Sequence, residues 1–366
     1  MTSRTLSVLI NARVAVLLIA SLAACSSGSD STSATTGAAT TPTGATGTTG
    51  AATTGTTTCT TTTGTTTTGT TTTGTTTTGT TTATGTSSTA SVLCPFAGSY
   101  TGTYSTSGTL TATWNWTCSS TARSLSGNGL PNHAVGAFPN SGNPNTISTQ
   151  TVTGTATLTP VKGTTNRSIG GPGGANVWAL NSVKFDPGTA GTCPSSMTST
   201  SNCNLAQGMD PWRIEALGQT TFNFGVDANN AHVQPTGEYH YHGMPEGLLS
   251  NAGATPTNPK MVMVGWASDG FPVYARYCYS NATDATSAVK MCTGSFAKDT
   301  VADSGRPATS LVPLGAFRSD WTYVAGSGDL DDCNGRTGVT PEFPNGIYYY
   351  MATDTYPYMS RCIKGS

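Results

Sequence analysis

The sequence predicts an all-β or β-dominated domain, disulfide-stapled and loop-rich, of β-sandwich or related double-sheet type, carried behind a disordered Thr/Gly-rich linker. Three observations lead to this expectation. Residues 109–117 and 151–159 alternate small or apolar side chains with threonine, the period-2 pattern of a half-buried strand. The 44 glycines and 20 prolines break the chain too often for long helices. Beyond about position 91 lie eight cysteines, Cys94, Cys118, Cys193, Cys203, Cys278, Cys292, Cys333 and Cys362, an even set of the kind that staples small exported folds.

The N-terminus sets the compartment. Arg4 and Arg13 supply positive charge, and residues 14–24 are apolar but too few to span a bilayer, so residues 1–24 read as a cleaved export signal. Leu22-Ala23-Ala24-Cys25 resembles the lipobox of bacterial lipoproteins, in which the cysteine thiol receives a diacylglycerol before cleavage. Cys25 is the expected lipidation site, with two or more acyl chains making the anchor stable. Ser26 stands where an Asp would suggest inner-membrane retention. The expected location is therefore extracytoplasmic, lipid-anchored to the cell membrane or outer membrane, leaning to the latter.

Residues 25–91 comprise this cysteine and a linker of almost nothing but Thr, Gly, Ser and Ala, with Gly64, Gly69, Gly74 and Gly79 marking a five-residue repeat. Such a segment buries too little apolar surface to offset the entropy of ordering its backbone. As a flexible coil its roughly 60 residues span on the order of 45 Å. Cys59 falls on a glycine position of the repeat and reads as repeat drift. Residues 92–366 form the globular part.

Charged residues are 9% of the chain and the net charge is −1, against roughly 25% charged residues in ordinary soluble proteins. Without a run of Lys or Arg there is no basic face for nucleic acid, and that partner is excluded. Sequence neighbours are the expected disulfide pairs: Cys94 with Cys118, Cys193 with Cys203, Cys278 with Cys292, and Cys333 with Cys362. A thiolate metal cluster wants close CxxC pairs, and the sequence has none. Further strands are expected at residues 221–226, 260–266, 271–277 and 347–352, and short helical turns at 211–217 and 246–250.

The chain has four histidines, and His232, His240 and His242 lie close together. In Glu238-Tyr239-His240-Tyr241-His242, strand alternation sends both imidazoles to one face and both phenols to the other. A Pro/Gly turn at residues 233–237 lets His232 fold back beside them. Three neutral imidazoles plus water suit zinc or copper. The same alternation also fits structural histidines that satisfy backbone carbonyls, or acid/base chemistry by one histidine with Glu238 or Asp269. His133 is a candidate fourth ligand, and Asp269 either a ligand, an orienter of an imidazole, or an ordinary Asp-Gly turn residue. Asp329, Asp331, Asp332 and Asn334 offer oxygen ligands for calcium, though not at EF-hand spacing. Tyr348 to Tyr350 with Tyr356 and Tyr358 reads as a sugar-stacking face or as β core. No Gly-x-Ser-x-Gly or HExxH pattern occurs, so enzyme status stays open.

The tetrapeptide Tyr239 to His242 resembles that of the YHYH-domain proteins. Asn128-Gly129-Leu130-Pro131-Asn132-His133 with Phe138-Pro139-Asn140 and Gly142-Asn143-Pro144-Asn145 is similar to the family's opening segment. Asp269-Gly270-Phe271-Pro272-Val273-Tyr274 is similar to its central one, and Leu330-Asp331-Asp332-Cys333-Asn334-Gly335-Arg336 through Tyr356-Pro357-Tyr358 and Cys362 to its closing one. The resemblance covers roughly residues 128–365 and implies a shared fold, an exported setting and metal binding. Residues 235–242 also echo residues 344–351 in their Pro, Gly and Tyr positions, with Tyr349 and Met351 where relatives often carry histidine. Met351 is a soft candidate for Cu(I) or a core residue. The expected function is a surface-anchored lipoprotein binding copper or zinc through the histidine cluster. The alternatives are a non-catalytic module for a surface polymer or protein, with structural histidines, and a metal-assisted hydrolase or oxidase.

Overall fold

Strand alternation in residues 109–118 places Ala112, Trp114 and Trp116 on a buried face and the intervening threonines and Asn115 on an exposed one. A computed structural model describes residues 92–169 and 177–365; the expected signal peptide, Cys25, the linker and Cys59 lie outside the described residues. Strands β1 (Phe96–Thr103), β2 (Thr109–Cys118), β3 (Ala122–Gly127) and β4 (Val152–Thr157) form an antiparallel sheet in chain order. Its apolar face lies on a second, larger sheet. The Trp116 indole donates to the Leu180 carbonyl (3.0 Å) and the Arg123 guanidinium sits 3.8 Å from the Trp266 ring centroid, within one shared core. Two sheets over a common core match the expected double-sheet class.

The larger sheet is built from β5 (Val177–Ala179), β6 (Lys184–Phe185), β7 (Ala231–Val233), β8 (Tyr239–Tyr241), β9 (Val262–Ala267), β10 (Pro272–Ala275), β11 (Gly335–Gly338) and β12 (Ile347–Ala352). Their order is β7-β8-β6-β5-β9-β10-β12-β11. Pairing is antiparallel except for β8 with β6 and β10 with β12. Its strands β9, β10 and β12 are buried on both faces along almost their whole length, as a mixed sheet covered on both sides requires.

That order is a pseudo-two-fold arrangement. Each half is a hairpin followed by a second hairpin whose last strand returns parallel to the first hairpin. The axis passes through the β5–β9 pair, where Trp178 faces Trp266, with Ala179 opposite Gly265 and Val177 opposite Ala267. The sequence echo is the visible part of this repeat. Gly237 and Gly346 both have φ +86°, and Asn230 and Asn334 have φ +53° and +55°. The Tyr239 hydroxyl donates to Asp227 and the Tyr348 hydroxyl to Asp331. Tyr241 meets Asn181 as Tyr350 meets Asp269, and the amides of His242 and Met351 donate to the carbonyls of Asn230 and Asn334.

The disulfides join Cys94–Cys118, Cys193–Cys203, Cys278–Cys292 and Cys333–Cys362. Two local expectations fail. Residues 211–217 form no helix, because Trp212 and Ile214 are buried around exposed Arg213, and Trp212–Arg213 pairs with Thr192–Cys193. Residues 221–226 form no strand, because the side chains of Gln219 and Asn223 take the amides of Phe222 and Gly225 (2.8 and 2.9 Å), local capping that competes with sheet pairing. The other expected helix is α1 (Glu246–Asn251).

Candidate metal centre

The β7–β8 hairpin positions all three clustered histidines. Its register sets His232 opposite His240, and His242 follows two residues on, on the same face as His240. The turn is closed by Gln234 N–H donating to the Glu238 carbonyl (2.9 Å) and Gly237 N–H to the Gln234 carbonyl (2.8 Å). Gly237 is required there: its φ is left-handed, and a Cβ would come within 2.0 Å of Ser148 Oγ.

The three imidazoles turn their Nε2 atoms towards one point. His242 Nε2 lies 3.1 Å from His240 Nε2 and 3.0 Å from His232 Nε2, and the ring centroids are 4.5 to 4.7 Å apart. His232 Nδ1 faces the Phe224 carbonyl at 2.7 Å and His240 Nδ1 the Glu238 carbonyl at 3.2 Å. A carbonyl only accepts, so these Nδ1 atoms carry the protons and the two Nε2 atoms present lone pairs in the neutral rings. A single proton on His242 Nε2 can satisfy one of them, not both. A cation at the centre satisfies all three, with ligand-to-ligand edges of about 3.4 Å for tetrahedral zinc at its usual bond length.

Protonation does not relieve the conflict. Burial, and after it the mutual charge of the rings, holds His240 and His242 well below the ordinary histidine range, and burial lowers His232 as well. The neutral rings that result are the ligand form. Lys184, aligned with His240 on β6, adds to the depression. Its buried ammonium is paired with Glu238 (3.0 Å) and Asp186 (3.7 Å).

The cluster faces a cleft of about 570 Å³ whose walls include Asp186, Arg213, Phe224 and Gln234. The cleft reaches solvent past Leu205 and Met209, which are 39% and 95% exposed. Lys184, Asp186 and Arg213 escaped the reading of the sequence. A lone lysine in the apolar stretch at residues 177–185 was the one legible signal; Arg213 has none, because only the fold brings it here.

Two candidate ligands are not brought to the cluster. His133 lies on the tyrosine face of the hairpin, its Nε2 2.7 Å from the Tyr241 hydroxyl and its Nδ1 2.8 Å from the Ala134 carbonyl. Asp269 is buried in the β9–β10 turn, accepting from the Tyr350 hydroxyl (2.6 Å) and the amides of Gly365 (2.8 Å) and Phe271 (3.3 Å). Burial raises its carboxyl above the usual range, opposed by those donors. The acidic loop is engaged by cations of its own: Lys290 holds Asp329, and Lys364 holds Asp332 (2.6 Å). Met351 and Tyr348 to Tyr350 are core residues. Asp329 also neighbours Cys278 and Cys292, but those sulfurs are bonded to each other.

The pseudo-two-fold gives a control for the site. The positions equivalent to His232, His240 and His242 are Arg336, Tyr349 and Met351. There the Arg336 Nε donates to the Tyr349 hydroxyl (2.6 Å) and the guanidinium also donates to the Tyr279 carbonyl (2.5 Å). The same scaffold positions are thus internally satisfied in one half and left with converging lone pairs in the other.

Searches of curated proteins and of solved structures returned no match. The family model described as "YHYH protein" matches residues 153–365, which takes in both halves of the large sheet and leaves out β1 to β3 and the segment around His133. More than half of the chain is covered, and the chain belongs to the YHYH family.

Proposed function

We propose that this YHYH domain binds one transition-metal ion, zinc or copper, through His232, His240 and His242, and that its role is metal capture or sensing outside the cytoplasm. The observation that carries the reading is the convergence of three Nε2 atoms at 3.0 and 3.1 Å, two of them left with lone pairs by their carbonyl partners. Nitrogen donors of this kind suit zinc and copper and not calcium. The alternative of purely structural histidines leaves at least one of these imidazole lone pairs without a donor among the described residues.

Elemental analysis of the purified chain tests the reading. One zinc or copper per chain is expected, lost in the double variant His240→Ala with His242→Ala while the circular dichroism spectrum is kept. A wild-type chain that takes up neither ion overturns it.

The cleft beside the histidines supports a second reading, metal-assisted hydrolysis or oxidation, since three protein ligands plus an open side is the arrangement that leaves a coordination position for water or substrate. Lipid attachment at Cys25 and a membrane location rest on the N-terminal sequence. Replacement Cys25→Ser is expected to move the chain from the membrane fraction to the soluble one and to abolish fatty-acid labelling.

A further inference from the structure

A second groove of about 190 Å³ adjoins the histidine cleft, and the two share Asp186, Gly188, Thr189 and Arg213 as walls. Three arginines line it: Arg213, Arg318 and Arg361. Arg361 is half-buried and already neutralised, donating to both oxygens of Glu215 (3.1 and 2.8 Å), whose carboxylate also accepts from the Tyr356 hydroxyl. Asp186 is likewise engaged, by Lys184. Arg213 and Arg318 differ. Both are exposed, and among the described residues neither has a carboxylate within ion-pair reach; Arg213 makes one long bond to the Thr189 carbonyl (3.5 Å).

Two arginines without carboxylate partners on the wall of one small groove each gain from an anion bound there. In a chain with 16 Lys and Arg in all, their meeting beside a histidine cluster is not explained by a generally basic surface. Guanidinium forks are shaped for carboxylate, sulfate or phosphate oxygens, with charge-assisted bonds of about twice ordinary strength. A bound ion at the histidines adds to the same positive field.

We infer that the groove walled by Arg213 and Arg318 binds an oxyanion, and that the ligand of this domain is an acidic molecule whose carboxylate, sulfate or phosphate sits there while the rest extends along the shared wall to the three-histidine site. The second part rests on the metal reading above; the first does not. The apolar lip at Leu205 and Met209 fits the uncharged body of such a ligand.

The experiment is calorimetric titration of the full chain with inorganic sulfate, inorganic phosphate and acetate, in zinc-loaded and chelator-treated forms. Saturable binding of at least one anion is expected in both forms, weakened about tenfold or more in the double variant Arg213→Ala with Arg318→Ala, at unchanged zinc content. Binding that survives in the arginine variant but vanishes with His240→Ala or on chelation places the anion on the metal alone and overturns the groove. Absence of saturable binding in the wild type does the same. If the chain takes up no metal yet binds anions through the arginines, the groove stands, while the metal reading and the reach to the histidines fall.

Discussion

His232 and His240 stand opposite each other across the β7–β8 pair, ring centroids 4.6 Å apart and planes at 78°, each with its Nδ1 on a backbone carbonyl. Main-chain register therefore aims both Nε2 atoms before any ligand arrives. A second set of bonds that fixes tautomer and ring direction is what metal-ligating histidines commonly have.

Replacing His232 by alanine removes one of the three converging nitrogens and leaves His240 on β8 and His242 just beyond it in place. At a zinc concentration of about 100 times the dissociation constant, the wild type is stabilised by about 2.7 kcal/mol. If His232→Ala weakens binding about a hundredfold, the same zinc adds only about 0.4 kcal/mol. Thermal denaturation with and without zinc measures the difference. Equal shifts in the two proteins would show that His232 is no ligand.

Acidification is expected to destabilise the metal-free protein. The folded state holds His133, His232, His240 and His242 below the ordinary histidine range, in each case chiefly by burial. In the unfolded chain they titrate near about 6.5. The unfolded state thus binds more protons below that value, so stability is full above it and falls as pH drops towards the lower folded values. Urea midpoints measured between pH 8 and pH 5 in chelator should decline on the acid side, and the triple variant with alanine at 232, 240 and 242 should lose most of that slope.

Asp269→Ala separates support from ligation. The carboxylate ties the β9–β10 turn to Tyr350 on β12 and to the C-terminal strand at Gly365. Removing it leaves buried donors unsatisfied, at a cost of about 1–3 kcal/mol each. A large drop in the denaturation midpoint with one metal ion per chain retained is the expected result; loss of the ion from a folded variant would return Asp269 to the site.

The pseudo-two-fold permits a gain-of-site test. With Arg336→His, Tyr349→His and Met351→His in one chain, the second half acquires the side chains of the first at equivalent backbone positions. A folded triple variant should bind two ions where the wild type binds one, read by elemental analysis. A folded variant that still binds one would mean that the halves correspond in backbone but not in the space around those side chains.

Much of this was legible from local pattern. Alternation in residues 109–118 gave β2 and its buried face, and alternation at 239–242 put His240 and His242 together and the tyrosines opposite, because side-chain direction in a strand depends only on parity. The Pro/Gly turn foretold the return of His232. The place of His133 is not legible in the sequence because a loop residue carries no parity, and the hairpin face it meets is decided by packing against Tyr239 and Tyr241. Residues 221–226 misled in the same way: their apolar content reads as a strand, but the side-chain caps of Gln219 and Asn223 supply the bonds that a sheet would have supplied.

By itself the sequence determined the β class, the even cysteine set, the Tyr/His alternation and the repeat between residues 235–242 and 344–351. These are properties of neighbours along the chain, where strand period and turn chemistry act. Only the tertiary structure decided that Trp178 and Trp266 meet on a pseudo-two-fold, that Asp269 turns to Tyr350, that Lys184 lies beside His240, and that Asp186 and Arg213 line the cleft the histidines face. Such encounters depend on which strands pair across long separations, and no local period encodes that choice.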